Sequence, residues 1–408
     1  MCQLLIKKIH NYFLRHLSLL LIAIGAISFF LANIVMKEVL SSFYYGQYSI
    51  IITYFSLIFV LGILGMEQVF LRFSIAKARN EIDTQKIQLV LIGCVVLLST
   101  IVSTIFFKRN YPEIEINSVL LFLTSFSVIS SLFLHNVMRL NSNFLLAQVI
   151  ANYWKTALLI LALAFYFKPL EQLDAFIRLL CFTIIIFFAL ALFYVFRHIK
   201  FTFNNPASTK EILVTAFNFF IAIASFSLIT FADRFIVEKK FNYITLGEFF
   251  YLSNFFLAPY AILQNYVGFK QLIFFKNNFT LNYYKRYNRK IILLGVFLAI
   301  SLFLFTTGLN HFNVLKYQFT NYKIISLLLL IGIIRLYSSS ILSAFEAKST
   351  IAYLRISNVF IVIFTTIVLL FANYFSHTIE SILVCVILVW CFRCFIHRQL
   401  LLHQQNKL

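Results

Sequence analysis

An arginine inside an apolar run is the sharpest chemical signal in this sequence. Arg335 stands near the middle of 324–345, among leucines and isoleucines, with Ser338, Ser339 and Ser340 following. A cation near a bilayer centre costs about 2.5–3.5 kcal/mol on insertion scales. Such a residue has to face a bundle interior or a wet cavity. Two chemistries fit it: a cation for an anionic substrate, or a structural partner for a carboxylate or for helix carbonyls.

Other candidates are weaker singly. Lys155 lies in the first turns of 150–167 and serves either a cavity or the membrane surface, since long basic side chains snorkel. Arg178, about one turn inside its run, reads as snorkelling. Arg15 and Arg72 flank the first two apolar runs, as topology determinants or as a phosphate-attracting entrance. Asp233-Arg234 reads as an ion pair or a gate, and Glu67 as a further gate or coupling group. The run 247–269 carries Asn254, Gln264 and Asn265, which suit hydrogen bonding to sugars or between helices. Its Pro259 removes one backbone hydrogen bond and predicts a kink.

Nothing points to catalysis, a metal or a cofactor. No His-Glu-x-x-His and no Gly-x-x-x-x-Gly-Lys-[Ser/Thr] occurs. Cys391-Phe392-Arg393-Cys394 has a redox-like spacing but no second pair, and reads as ordinary membrane thiols. Asn278-Phe279-Thr280 matches a glycosylation acceptor by chance, on a predicted cytoplasmic segment.

The elements that position these residues follow from composition. Of 408 residues, 62% are hydrophobic and 12% charged, which no soluble domain of this size tolerates. A spanning helix needs about 20 apolar residues. Twelve runs qualify: 17–36, 48–70, 87–107, 118–138, 150–167, 174–196, 212–232, 247–269, 291–309, 324–345, 352–373 and 379–397. A β-barrel would show shorter segments of alternating polarity. The expected class is therefore all-α, a polytopic membrane protein.

The net charge of +20 does not mark a nucleic-acid binder, because the cations are scattered between apolar runs. They follow the positive-inside rule with both termini cytoplasmic. The basic start and first run are too long for a signal peptide and predict a retained helix. Of six cysteines all but Cys2 fall in predicted spans, against a disulfide framework.

The chain also repeats. Phe43-Tyr44-Tyr45-Gly46-Gln47-Tyr48 joins two apolar runs that close on Leu71-Arg72-Phe73. Half a chain later a weaker copy places Asp233-Arg234 before Leu246-Gly247-Glu248-Phe249. Two halves, 1–200 and 201–408, each a six-helix bundle, suggest a transporter whose repeats rock about a central site.

These motifs carry a family resemblance. Tyr45-Gly46-Gln47-Tyr48, Gly62-Ile63-Leu64-Gly65-Met66-Glu67-Gln68 and Asp233-Arg234-Phe235-Ile236 resemble the polysaccharide flippases. These are O-antigen and related repeat-unit translocases of the multidrug/oligosaccharidyl-lipid/polysaccharide (MOP) exporter superfamily. The copy reads Gly-Glu-Phe where Gly-x-Tyr is more usual. The resemblance implies two six-helix bundles around a cavity, in a bacterial inner membrane. Its implied cargo is an oligosaccharide repeat unit on undecaprenyl diphosphate, moved outward by alternating access for O-antigen or capsule synthesis. Implied partners are a polysaccharide polymerase and chain-length machinery. Arg335 is then the first cavity contact, with Arg15, Arg72 and Lys155 behind it. The rivals are a drug or cation antiporter of the same superfamily, an O-antigen polymerase and a membrane glycosyltransferase. The short outer loops count against the polymerase, and Glu113 and Glu115 are too slight an acidic signal for the glycosyltransferase.

Overall fold

The computed structural model describes residues 2–78, 80–167, 173–203 and 208–405. Thirteen α-helices and three short strands occur among them. The helices are α1 (Cys2–Val39), α2 (Ser42–Leu61), α3 (Met66–Phe73), α4 (Lys86–Asn110), α5 (Ser118–Leu140), α6 (Phe144–Phe167), α7 (Leu173–His198), α8 (Thr209–Lys240), α9 (Tyr243–Asn278), α10 (Leu281–His311), α11 (Tyr322–Lys348), α12 (Ile351–Phe375) and α13 (Ile379–Gln405). The strands are β1 (Ile75–Ala78), β2 (Glu81–Asp83) and β3 (Lys200–Thr202). Among the described residues twelve helical segments are long and apolar enough to cross a membrane, α2 and α3 counting as one. The all-α polytopic architecture expected from the apolar runs is present.

The chain forms two compact units. One comprises Met1–Leu40 and Ile50–Ala224; the other comprises Ser41–Ser49 and Ser225–Leu408. In the first, α6 packs along α1, and α5 packs against α4, α6 and α7. In the second, α11 is the hub, packing against α9, α10 and α13. Arg335 therefore stands on the hub helix of its unit.

Several boundaries differ from the sequence reading. The second apolar run breaks between α2 and α3, where Leu64 and Gly65 adopt φ of 52° and 83°. A Cβ on Gly65 would lie 2.8 Å from the main chain of Phe219, so the break also allows close approach to α8. The predicted end at 232 is wrong: α8 continues to Lys240, placing Asp233 and Arg234 within the helix. The basic stretch 270–290, read as a loop, is the end of α9 and the start of α10, joined through Phe279 and Thr280. Lys285, Arg286, Arg289 and Lys290 sit on an exposed helix face, which apolar periodicity alone does not reveal.

The polar segments 74–86 and 197–211 hold a small sheet whose strands of three and four residues are too short to signal. Its order is β1-β2-β3, with β1 antiparallel and β3 parallel to β2. Asp83 is its electrostatic centre. Its carboxylate meets Lys77 Nζ at 2.8 Å and accepts from Thr202 Oγ1 at 3.0 Å. Lys77 is well exposed, so Lys77→Ala should change stability by less than about 1 kcal/mol. Asp83 is buried and serves two partners, so Asp83→Ala should cost about 1–3 kcal/mol. Thermal unfolding of the purified variants checks the order, and equal shifts would refute it.

Candidate functional site

The second unit gathers the strongest chemistry. Arg335 on α11 lays its guanidinium over the Trp390 ring of α13, 5.4 Å from the centroid. Arg393, one helical turn after Trp390, approaches the same indole at 5.3 Å and the Phe226 ring at 5.3 Å. Trp390 is thus a buried ring within reach of two cations, a contact in which a ring quadrupole stabilises positive charge.

Asp233 and Arg234 reach this group from α8. The carboxylate of Asp233 is buried, accepts the Arg234 main-chain N–H at 2.8 Å and lies within electrostatic reach of Arg335. Arg234 stacks over Phe250 at 4.9 Å and donates to Asn254 Oδ1 at 3.4 Å. Glu346, near the end of α11, faces Arg393 electrostatically. Three arginines thus meet two carboxylates, leaving one positive charge in excess. Arg335 shares the charge of Asp233 with Arg234. Its Nε is buried without a hydrogen-bond partner, while part of the side chain stays accessible. A buried donor without an acceptor costs about 1–3 kcal/mol, more when charged. An oxyanion is the ligand that removes this cost, because guanidinium presents a fork of N–H groups matched to phosphate and carboxylate.

The serine run beside Arg335 has a structural role. Ser339 Oγ donates to the Gln264 main-chain oxygen at 2.9 Å, Ser340 Oγ to Asn288 Oδ1 at 2.6 Å and Ser343 Oγ to the Gly268 oxygen at 3.3 Å. These bonds tie α11 to α9 and α10 and hold Arg335 in place. Gln264 contributes its main chain to this seam, and its Oε1 is buried without a partner. Asn254 belongs to the arginine cluster. Arg15 and Asn265 lie in helical backbone, but their side chains fall outside the described residues.

The remaining candidates lie in the first unit. Lys155 Nζ donates to Asn152 Oδ1 at 3.0 Å, and Asn152 in turn donates to Gln148 O at 3.0 Å. Asn152 and Gln148 line a cavity of about 430 Å³ with Leu21 and Ile24 of α1. Gly25 makes room there, since a Cβ would strike the Asn152 side chain. Glu67, in the first turn of α3, is buried with Oε2 unpartnered. Arg72 is exposed at the end of α3, with its guanidinium 5.8 Å from the Phe73 centroid.

Sequence reasoning missed Arg393, Glu346 and Trp390. Arg393 reads as one more cation near a helix end. The available signal was Trp390-x-x-Arg393-x-x-x-His397, a spacing that puts the three on one helix face. Cys391 and Cys394 are free thiols, Cys391 exposed and Cys394 buried. Among the described residues no three His, Cys, Asp or Glu side chains converge to hold a metal ion.

No protein-family model matches the chain, and no curated protein matches its sequence. Solved structures do match. The lipid II flippase MurJ, in an inward closed conformation, aligns with TM-score 0.68 at 13% identity, over 93% of this chain and 86% of that one. An outward-facing multidrug resistance MATE family transporter of the MOP superfamily aligns with TM-score 0.53 at 11% identity, over 96% of both chains. An inward-facing MATE family transporter gives 0.50 at 10% identity, over 95% of this chain and 99% of that one. At such identities the likeness establishes the fold: this chain has the architecture shared by MurJ and the MATE transporters.

Proposed function

We propose that this chain is a MOP-superfamily flippase. It carries an oligosaccharide repeat unit linked to a polyprenyl diphosphate from the inner to the outer leaflet by alternating access. The observation that carries the reading is Arg335, a guanidinium on the hub helix of a transporter fold whose Nε is buried without a hydrogen-bond partner. A diphosphate supplies the missing oxyanions, and each charge contact counts for more in a low dielectric than in water. The prenyl tail can remain in the bilayer. The halves 1–200 and 201–408 act as the two rocking bundles. Both termini lie in the cytoplasm of a bacterial inner membrane, which the distribution of Lys and Arg supports. The protein performs no chemistry on its cargo, and a polymerase with its chain-length machinery consumes the product outside.

A drug or cation antiporter of the same fold is the second reading. Asp233 favours it: the extension of α8 puts this carboxylate inside a span rather than at its end. The experiment uses the host lacking this gene. Lipid-linked glycans are extracted, and their sidedness is probed with an impermeant reagent. A complete unit trapped on the cytoplasmic face is the expected result. A complete but unpolymerised unit outside would mean a polymerase, a truncated unit a glycosyltransferase, and an unchanged profile the antiporter.

A further inference from the structure

The start of α10 is an amphipathic segment whose exposed face the transport site does not use. Between Leu281 and Lys290, Tyr283, Tyr284 and Tyr287 turn inward and Lys285, Arg286, Arg289 and Lys290 are exposed. The tyrosines are locked. Tyr284 joins a buried cluster with Phe275, Phe345 and Leu401, Tyr283 packs on Phe274 at 4.6 Å, and Tyr283 and Tyr287 stack at 5.9 Å. This anchoring fixes the rotation of the helix and aims the four cations outward.

The cations continue directly into an apolar stripe. Leu293 and Phe297 are 68% and 69% exposed, and each follows Arg289 and Lys290 at helical spacing on the same face. At 1.5 Å rise per residue, the cationic patch ends about one turn before the stripe begins. A face that passes in one turn from exposed leucine to exposed lysine and arginine matches the step from acyl chains to headgroup phosphates. Among the described residues none of these four cations is in a salt bridge. No acidic residue occurs between Glu248 and Glu346, and Glu346, which neighbours this cluster, faces Arg393.

We infer that Lys285, Arg286, Arg289 and Lys290 form a binding face for the headgroup phosphates of anionic phospholipids. Clustered Lys and Arg at the membrane edge of a spanning helix attract anionic lipid by about 1 kcal/mol each, close to fivefold in affinity per residue. The inference stands apart from the transport reading and survives if that reading fails.

The full chain in detergent is titrated with phosphatidylglycerol or phosphatidylcholine, and bound lipid is counted by native mass spectrometry. The wild type should retain phosphatidylglycerol over phosphatidylcholine. The combined variant K285Q, R286Q, R289Q and K290Q should lose that preference by more than about tenfold, with thermal unfolding in neutral lipid unchanged. A matched variant, R109Q, K210Q, K239Q and K323Q, removes the same charge from exposed positions elsewhere and should keep the preference. Equal loss in the two variants would show a net-charge effect and overturn the inference. So would retention in the first variant, or displacement of the lipid by millimolar inorganic pyrophosphate, which marks a free-anion site. Should the first variant unfold, K285R with K290R preserves the charge and must bind phosphatidylglycerol as the wild type does.

Discussion

Replacing Arg335 by methionine should abolish transport and leave the protein as stable as before or more so. The two effects have one cause. Arg335 sits on the hub helix with Nε buried and unpartnered, and its contact with Trp390 at 5.4 Å offsets only part of its desolvation. Methionine fills similar volume without a charge to hydrate. Exchanges of buried charge for well-packed apolar side chains are commonly neutral or stabilising, by about 1–4 kcal/mol. If the guanidinium holds an oxyanion of the cargo, its removal forfeits charge-assisted bonds of about 1.5–3 kcal/mol, roughly 10- to 150-fold in binding. Arg335→Lys keeps the charge but loses the planar fork, and should fall between wild type and methionine. Sidedness of lipid-linked glycan measures transport, and thermal unfolding measures stability. Normal transport at normal abundance would remove Arg335 from the site. A large fall in unfolding temperature would instead assign it to structure, as a partner of Asp233.

Arg335 was visible in the sequence because a lone cation in an apolar run has no topological excuse. Arg393 carries the same chemistry and was hidden, because near a helix end a cation is what the membrane surface prefers. Only the packing of α13 shows it buried beside Trp390. Asp233 was mislocated for a related reason. Charged residues usually end an apolar run, and here the helix runs on because Arg234 finds Phe250 and Asn254 on α9. The twelve spans were legible, since about 20 apolar residues in a row admit few other structures. The three-stranded sheet was not, because its strands are very short and β3 joins β2 from a distant part of the sequence. Asp83 and Thr202 meet only in the folded chain.

Gly46 and Gly247 were legible as equivalent points of a repeat, and the structure brings them into contact. This sets an asymmetric expectation: Gly46→Ala should be far more damaging than Gly247→Ala. A Cβ on Gly46 would run into the main-chain oxygen of Tyr243, with Tyr243 C at 2.5 Å. Backbone at a helix start cannot swing aside, so the first turn of α2 must move away from α9. A Cβ on Gly247 would lie 3.1 Å from Gly46 N and 3.2 Å from Tyr45 Cδ1, a crowding that a few tenths of an ångström relieves. Overpacking of the first kind costs about 1–3 kcal/mol or more, and small residues are what permit helices in a membrane to approach so closely. The loss should extend beyond the two glycines. Tyr45 packs edge-on against Phe250 at 6.2 Å, and Phe250 in turn carries the guanidinium of Arg234 at 4.9 Å. Displacing the turn therefore disturbs the arginine cluster, and Gly46→Ala should lower both unfolding temperature and transport. Because the obstacle is main chain, trimming the side chain should not help: Tyr243→Ala added to Gly46→Ala should leave the defect in place. Rescue by that second change, or equal behaviour of the two single alanine variants, would mean that the glycines are not held together by backbone contact.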